Sequence, residues 1–160
     1  MRRFNSIAEM KETLGQELRP SDWVKIDQER IDTFAKVTED DQWIHIDVER
    51  AAREMPDGKT IAHGFLTLSL VPHLRHQIWH LESVERGINY GLEKVRFPAP
   101  VQSGDRVRMR QTLTSIEPQG EGYKLIFTCT MEIEGRPKPA CVAETVGILY
   151  ERTEPPRSQN

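Results

Sequence analysis

The stretch Gly64-Phe65-Leu66-Thr67-Leu68-Ser69-Leu70-Val71-Pro72-His73-Leu74-Arg75-His76-Gln77-Ile78-Trp79-His80-Leu81 decides the fold. Drawn as a helix, its Phe65, Leu66, Leu68, Leu70, Val71, Leu74, Ile78 and Leu81 cover most of the circumference rather than one stripe. A helix apolar nearly all round lies inside a protein, so the rest of the chain has to wrap it. The segment does not read as a membrane span: the apolar run from Ile61 to Leu74 falls well short of the roughly 20 residues required and holds His63, Pro72 and His73.

The wrapper lies downstream. Tyr123, Leu125, Phe127, Cys129, Met131 and Ile133 alternate with Lys124, Thr128, Thr130 and Glu132 in the period of a strand, Ile126 being the single exception. Val107, Met109 and Leu113 alternate with Arg106, Arg108, Arg110 and Thr112, while Ala140, Val142, Val146, Ile148 and Tyr150 share one parity of a last strand. Gly87 to Phe97 reads as a further strand, ended by Pro98 and Pro100, which cannot donate to a ladder. Turns at Gln119-Gly120-Glu121-Gly122 and Glu134-Gly135-Arg136-Pro137 are short enough to force antiparallel pairing.

Upstream, Ile31, Phe34, Ala35 and Val37 take helical spacing over Asp27 to Val37, and Asp47 can cap a short helix through Ala52. The fold class is therefore α+β, a curved antiparallel β-sheet wrapped around one long central α-helix. It is expected as a single domain over residues 1–152, with 153–160, which include Pro155 and Pro156, as a disordered C-terminal tail.

Composition narrows the function. The 160 residues carry 22 Lys and Arg against 25 Asp and Glu, a net charge of −3 with both signs interspersed. No basic block could neutralise a run of phosphates, so nucleic acid is not an expected partner. The first ten residues lack the apolar core of a secretory signal. Cys129 and Cys141 sit in apolar, strand-like surroundings without CxxC spacing and read as small buried hydrophobes, which fits a reducing, cytoplasmic setting. Trp43 and Trp79 are assigned to core packing.

The chemistry-bearing segments are Thr38-Glu39-Asp40-Asp41-Gln42-Trp43-Ile44-His45-Ile46-Asp47 and Thr60-Ile61-Ala62-His63-Gly64-Phe65. The first sets a carboxylate, Asp40 with Asp41 as its near rival, five residues before the imidazole of His45 on a short connection between helices. The second opens the apolar helix with Gly64, whose backbone N–H is unpaired at a helix N-terminus and whose missing side chain admits a close approach. Together they make an acid/base pair beside an oxyanion site. His73, His76 and His80, at offsets of three and seven, fall on one helical face, but no carboxylate or cysteine completes a set, so no metal site is expected.

Three ordered segments resemble the MaoC-like, or (R)-specific enoyl-CoA hydratase, family of hot-dog folds, and within it the branch related to the nodulation protein NodN. They are Phe34-Ala35-x-x-Thr38-x-Asp40-x-Gln42-Trp43-Ile44-His45-x-Asp47, Ile61-Ala62-His63-Gly64-Phe65, and Asn89-Tyr90-Gly91-Leu92-x-Lys94-Val95-Arg96-Phe97-Pro98-Ala99-Pro100. Gln42-Trp43 stands where many members have Asn-Pro, and Pro72 falls near the place of a serine that some hydratases direct toward the aspartate, with Ser69 one turn earlier.

The resemblance implies a single hot-dog domain and a reversible syn hydration of trans-2-enoyl-CoA to (R)-3-hydroxyacyl-CoA. Asp40 and His45 would form the catalytic dyad and the Gly64 N–H the oxyanion donor. His63 would line the site or fix its loop, and Phe65 would line the acyl pocket. Asn89 and Tyr90 would border the pantetheine tunnel, with Arg96 and Lys94 near the CoA phosphates. It further implies an acyl-CoA substrate, no cofactor beyond the CoA of that substrate, and a homodimer. A hot-dog acyl-CoA thioesterase, and a non-catalytic acyl-CoA or acyl-carrier-protein binding module, are the alternatives that share the fold.

Overall fold

A computed structural model describes residues 1–152, so the expected tail at 153–160 lies outside the described residues. The chain opens with β1 (Arg2–Phe4) and α1 (Ile7–Lys11), then crosses to the two-residue β2 (Val24–Lys25). Helix α2 (Gln28–Thr38) forms where its spacing predicts and is capped by Asp27, whose carboxylate accepts from the Arg30 N–H at 3.1 Å. It ends at Glu39 in the left-handed region (φ 61°), which turns the chain sharply before Asp40. The connection that follows is not bare: α3 (Trp43–Ile46) carries His45, and α4 (Val48–Glu54) begins at the cap Asp47, whose carboxylate accepts from the Arg50 N–H at 2.9 Å.

The central helix differs from the expectation of one rod from Gly64 to Leu81. It is two helices, α5 (Gly64–Ser69) and α6 (Val71–Ile78), joined at Leu70, and Trp79–Leu81 is a strand, β3. Pro72 supplies the reason: it has no N–H for the Leu68 carbonyl, and its ring clashes with a carbonyl four residues back, whereas both defects vanish in the first turn of a new helix. β3 pairs in parallel with β1, a two-stranded sheet that sequence reading missed.

The second sheet holds five strands in the order β2, β5 (Arg106–Gln119), β6 (Gly122–Ile133), β7 (Cys141–Glu151) and β4 (Val84–Arg96), all antiparallel. The β5–β6 hairpin closes through Gly120, at φ 57°, between the paired Gln119 and Gly122. Register shifts at Leu113/Ser115 and at three places in β4 bend the sheet around α5 and α6. The core between them includes Leu66, Leu74, Ile78, Met109, Leu113 and Met131, all 5% exposed or less.

The parity expected of the last strand is corrected. The unbroken β6–β7 register sets Cys141 and Ala143 opposite Met131 and Cys129 on the core face, and Val146 opposite Ile126 on the other. Val146 and Ile148 are buried on that second face, beside Ile126 and Ile88, which accounts for the exceptional Ile126 as well. Trp79 is core as expected: its ring stacks on Phe127 at 5.5 Å and its Nε1–H donates to the buried Gln111 at 2.9 Å. Trp43 is not; it lies half-buried under the Arg50 guanidinium, 4.0 Å from its ring. Cys129 and Cys141 are free and buried, and burial pushes the Cys141 thiol up to about 11.

Candidate active site

The sharp turn after α2 and the start of α5 bring Asp40, His45 and His63 together, one ligand atom of each lying within 4.8 Å of the others. His45 is buried because α3 packs against the 60–63 segment, where Ile61 N–H donates to the Ile44 carbonyl at 3.0 Å. Its Nδ1–H donates to the Ile61 carbonyl at 2.6 Å, which leaves the lone pair of the neutral ring on Nε2. Burial holds the His45 imidazole below the ordinary histidine range, opposed by the Ile61 hydrogen bond and reinforced by His63.

His63 is almost wholly buried, its ring stacked on His45 with centroids 3.7 Å apart and flanked by Phe34 at 5.1 Å. Its Nε2–H donates to the Asp40 backbone carbonyl at 2.9 Å, tying the start of α5 to the turn after α2, and its buried Nδ1 has no partner among the described residues. The Asp40 carboxylate approaches the same Nε2 at 3.9 Å with its side chain 56% exposed, open to an incoming ligand. Asp41 faces elsewhere, into a shallow depression with Asp32, Lys36 and Glu39.

Gly64 follows His63 directly, and among the described residues the N–H groups of Gly64 and Phe65 have no hydrogen-bond partner at the open N-terminus of α5. A Cβ at residue 64 would stand 2.8 Å from the Phe97 ring, so only glycine fits beneath that ring. Phe65 is 66% exposed and meets Phe97 edge-on at 5.8 Å. A cavity of about 660 Å³ opens one turn further on, at Leu68 and Ser69, and runs beside α6 and β4, past Asn89 and Leu92, to Arg75 and Trp79. That volume is typical of a small-molecule site.

The other expected site residues scatter. Asn89 lines the cavity, but Tyr90 is exposed on the β4 bulge and does not. Arg96 is exposed and donates to the neighbouring Val95 carbonyl, and Lys94 pairs with Glu144 at 3.4 Å. Ser69 donates to the Phe65 carbonyl at 2.7 Å within its own helix. His80 lies on β3, so the three histidines at 73, 76 and 80 share no helical face; all are exposed. Sequence reading missed Gln28, whose amide donates to the His45 carbonyl at 2.7 Å and whose carbonyl oxygen accepts from the Thr60 hydroxyl.

The chain matches the MaoC like domain family over residues 9–127. It belongs to the MaoC-like family. It is 50% identical over 147 residues to 3-hydroxyacyl-thioester dehydratase Z of Mycobacterium tuberculosis, covering 91% of this chain and 97% of that one. It is 42% identical over 146 residues to nodulation protein N of Rhizobium leguminosarum bv. viciae, covering 90% and 91%. The fold superposes on the unliganded R-hydratase PhaJ1 from Pseudomonas aeruginosa with a TM-score of 0.71 at 21% identity, covering 92% of each chain. The single hot-dog domain expected of the sequence is thus shown, and this MaoC-like chain is a hydratase or dehydratase.

Proposed function

We propose that this MaoC-like protein is an (R)-specific enoyl-CoA hydratase, interconverting trans-2-enoyl-CoA and (R)-3-hydroxyacyl-CoA. The observation that carries the reading is the gathering of Asp40 and the Nε2 lone pair of His45 beside the unpaired N–H groups that open α5. A water held between carboxylate and imidazole has its oxygen aimed at one face of the alkene. As that oxygen bonds to C3, the C2–C3 π electrons move toward the thioester carbonyl, and the Gly64 N–H stabilises the resulting enolate oxygen. Asp40, the main base, takes one proton from the water and passes it to the Nε2 lone pair of His45, which delivers that proton to C2 on the same face.

Nothing is oxidised or reduced in that sequence, so no redox cofactor enters it. Asp40, His45 and His63 form the one three-ligand grouping among the described residues, yet His45 Nδ1 and His63 Nε2 are committed to backbone carbonyls. The grouping is read as a water-holding site, because the proposed hydration needs only a carboxylate and an imidazole. The thioester class is supported by the half-identical relative, named for 3-hydroxyacyl thioesters. The 13-residue β4, at the sheet edge with Ile88, Tyr90 and Leu92 exposed, suits pairing with a second copy, and a homodimer is part of the proposal. No helix among the described residues is long and apolar enough to cross a membrane, and the free buried thiols fit a reducing cytoplasm.

Loss of the conjugated-enoyl absorbance of a trans-2-enoyl-CoA, with intact thioester and (R)-hydroxy product, is the expected result. Release of free acid and thiol instead would mark a thioesterase, and tight binding without turnover a carrier module.

A further inference from the structure

We propose that Arg75 is the anion-recognising residue of the cavity beside the central helices, holding a negatively charged group at the far end of the thioester substrate. The proposal rests on the hydratase reading for the identity of that substrate. The cavity is lined from Leu68, one turn after Gly64, through Arg75, His76 and Trp79. At 1.5 Å per helical residue, and with the path broken at Leu70, Arg75 stands at most about 17 Å beyond the oxyanion donor. Between the two ends the wall is largely apolar, with Leu68, Leu125, Phe127 and Leu149 contributing.

Arg75 is half-buried, its guanidinium 4.4 Å from the Trp79 ring centroid and 3.1 Å from the His76 ring nitrogens. No carboxylate among the described residues pairs with it. Glu82, which follows β3, is taken by Arg3 at 2.6 Å and His80 at 3.4 Å. Burial already holds the guanidinium below its ordinary range with no acid to restore it. His76, beside it, is held below the ordinary histidine range chiefly by that same cation, so its neutral ring adds a donor or acceptor rather than a second positive charge.

A half-buried planar cation on the wall of a largely apolar cavity, with no counter-ion among the described residues, is suited to a carboxylate or phosphate brought by the ligand. Two arms of a thioester substrate can end that way: an acyl chain bearing a terminal carboxylate, and the carrier arm with its phosphates. The shared chemistry is an anion on a long, mostly apolar arm.

The test measures kcat/KM of the wild type and of Arg75→Gln on four trans-2-enoyl thioesters of one chain length. These are methyl-ended or carboxylate-ended, each carried on CoA or on N-acetylcysteamine. The methyl-ended N-acetylcysteamine thioester is the neutral reference, so any general loss of fold cancels in the ratios. The substitution is expected to lower the anionic-to-neutral ratio about tenfold, the scale of one charge-assisted hydrogen bond. Loss confined to carboxylate-ended substrates places the anion at the acyl terminus; loss with both CoA substrates and neither methyl-ended nor carboxylate-ended N-acetylcysteamine substrate places it on the carrier. Equal effects on all four, or none, would overturn the proposal. Should the wild type turn over none of them, the hydratase reading fails separately, and equilibrium binding of the same compounds to both proteins gives the same ratios.

Discussion

At Gly64 the Phe97 ring occupies the space that a side chain would need. Gly64→Ala is therefore expected to push Phe97 aside and disturb the N–H placed for the oxyanion, costing roughly two orders of magnitude in kcat. Gly64→Ala with Phe97→Ala should melt closer to wild type than Gly64→Ala alone; equal melting temperatures would show that Phe97 is not the obstacle. At His45 the neutral ring is the working form, and burial lowers its pKa from 6.5. Activity should thus persist below pH 6.5 and fall only as pH drops through the lowered value, which a kcat/KM profile reads directly. An acid limb at or above 6.5 would contradict burial as the dominant influence on the imidazole. Asp40, His45 and Gly64 were legible because each is a chemical type at a motif position. Gln28, the Ile61 carbonyl and Phe97 were not, since long-range hydrogen bonds to backbone and a ring packed over a glycine leave no local pattern.

At the scale of elements, the apolar circumference of 64–81 was enough to announce a buried helix and an enclosing sheet. Its division at Leu70 was also written in the chain, at Pro72, but hydrophobic periodicity continues through a proline break and hides it. β3 was missed because Trp79 and Leu81 fit the helical stripe as well as a strand. The parity of β7 failed for a different reason: alternation reports one buried face, whereas Val146 and Ile148 are buried on the second. If α6 is the central support of the core, Leu74→Ala, at a fully buried site, should cost about 2 to 5 kcal/mol in denaturant unfolding. A loss under about 1 kcal/mol would mean that the sheet holds without it.

For the whole molecule, the exposed length of β4 at the sheet edge makes self-association the expected state, and sedimentation equilibrium should give the mass of a dimer. Leu92→Lys, on the exposed edge strand, should shift that equilibrium toward monomer; a wild type that stays monomeric at micromolar concentration would contradict the edge assignment. Exhaustive chelation should leave hydration unchanged, because the proposed proton transfers use only the Asp40 carboxylate and the His45 imidazole. The central claim, that Asp40 and His45 hydrate an enoyl thioester, is tested most directly by following the enoyl absorbance of trans-2-enoyl-CoA with wild type and Asp40→Asn. Rapid loss giving the (R)-3-hydroxyacyl product, reduced roughly 10²- to 10⁴-fold by the substitution, is the expected result; equal rates in the two proteins, or no loss with the wild type, would contradict the claim.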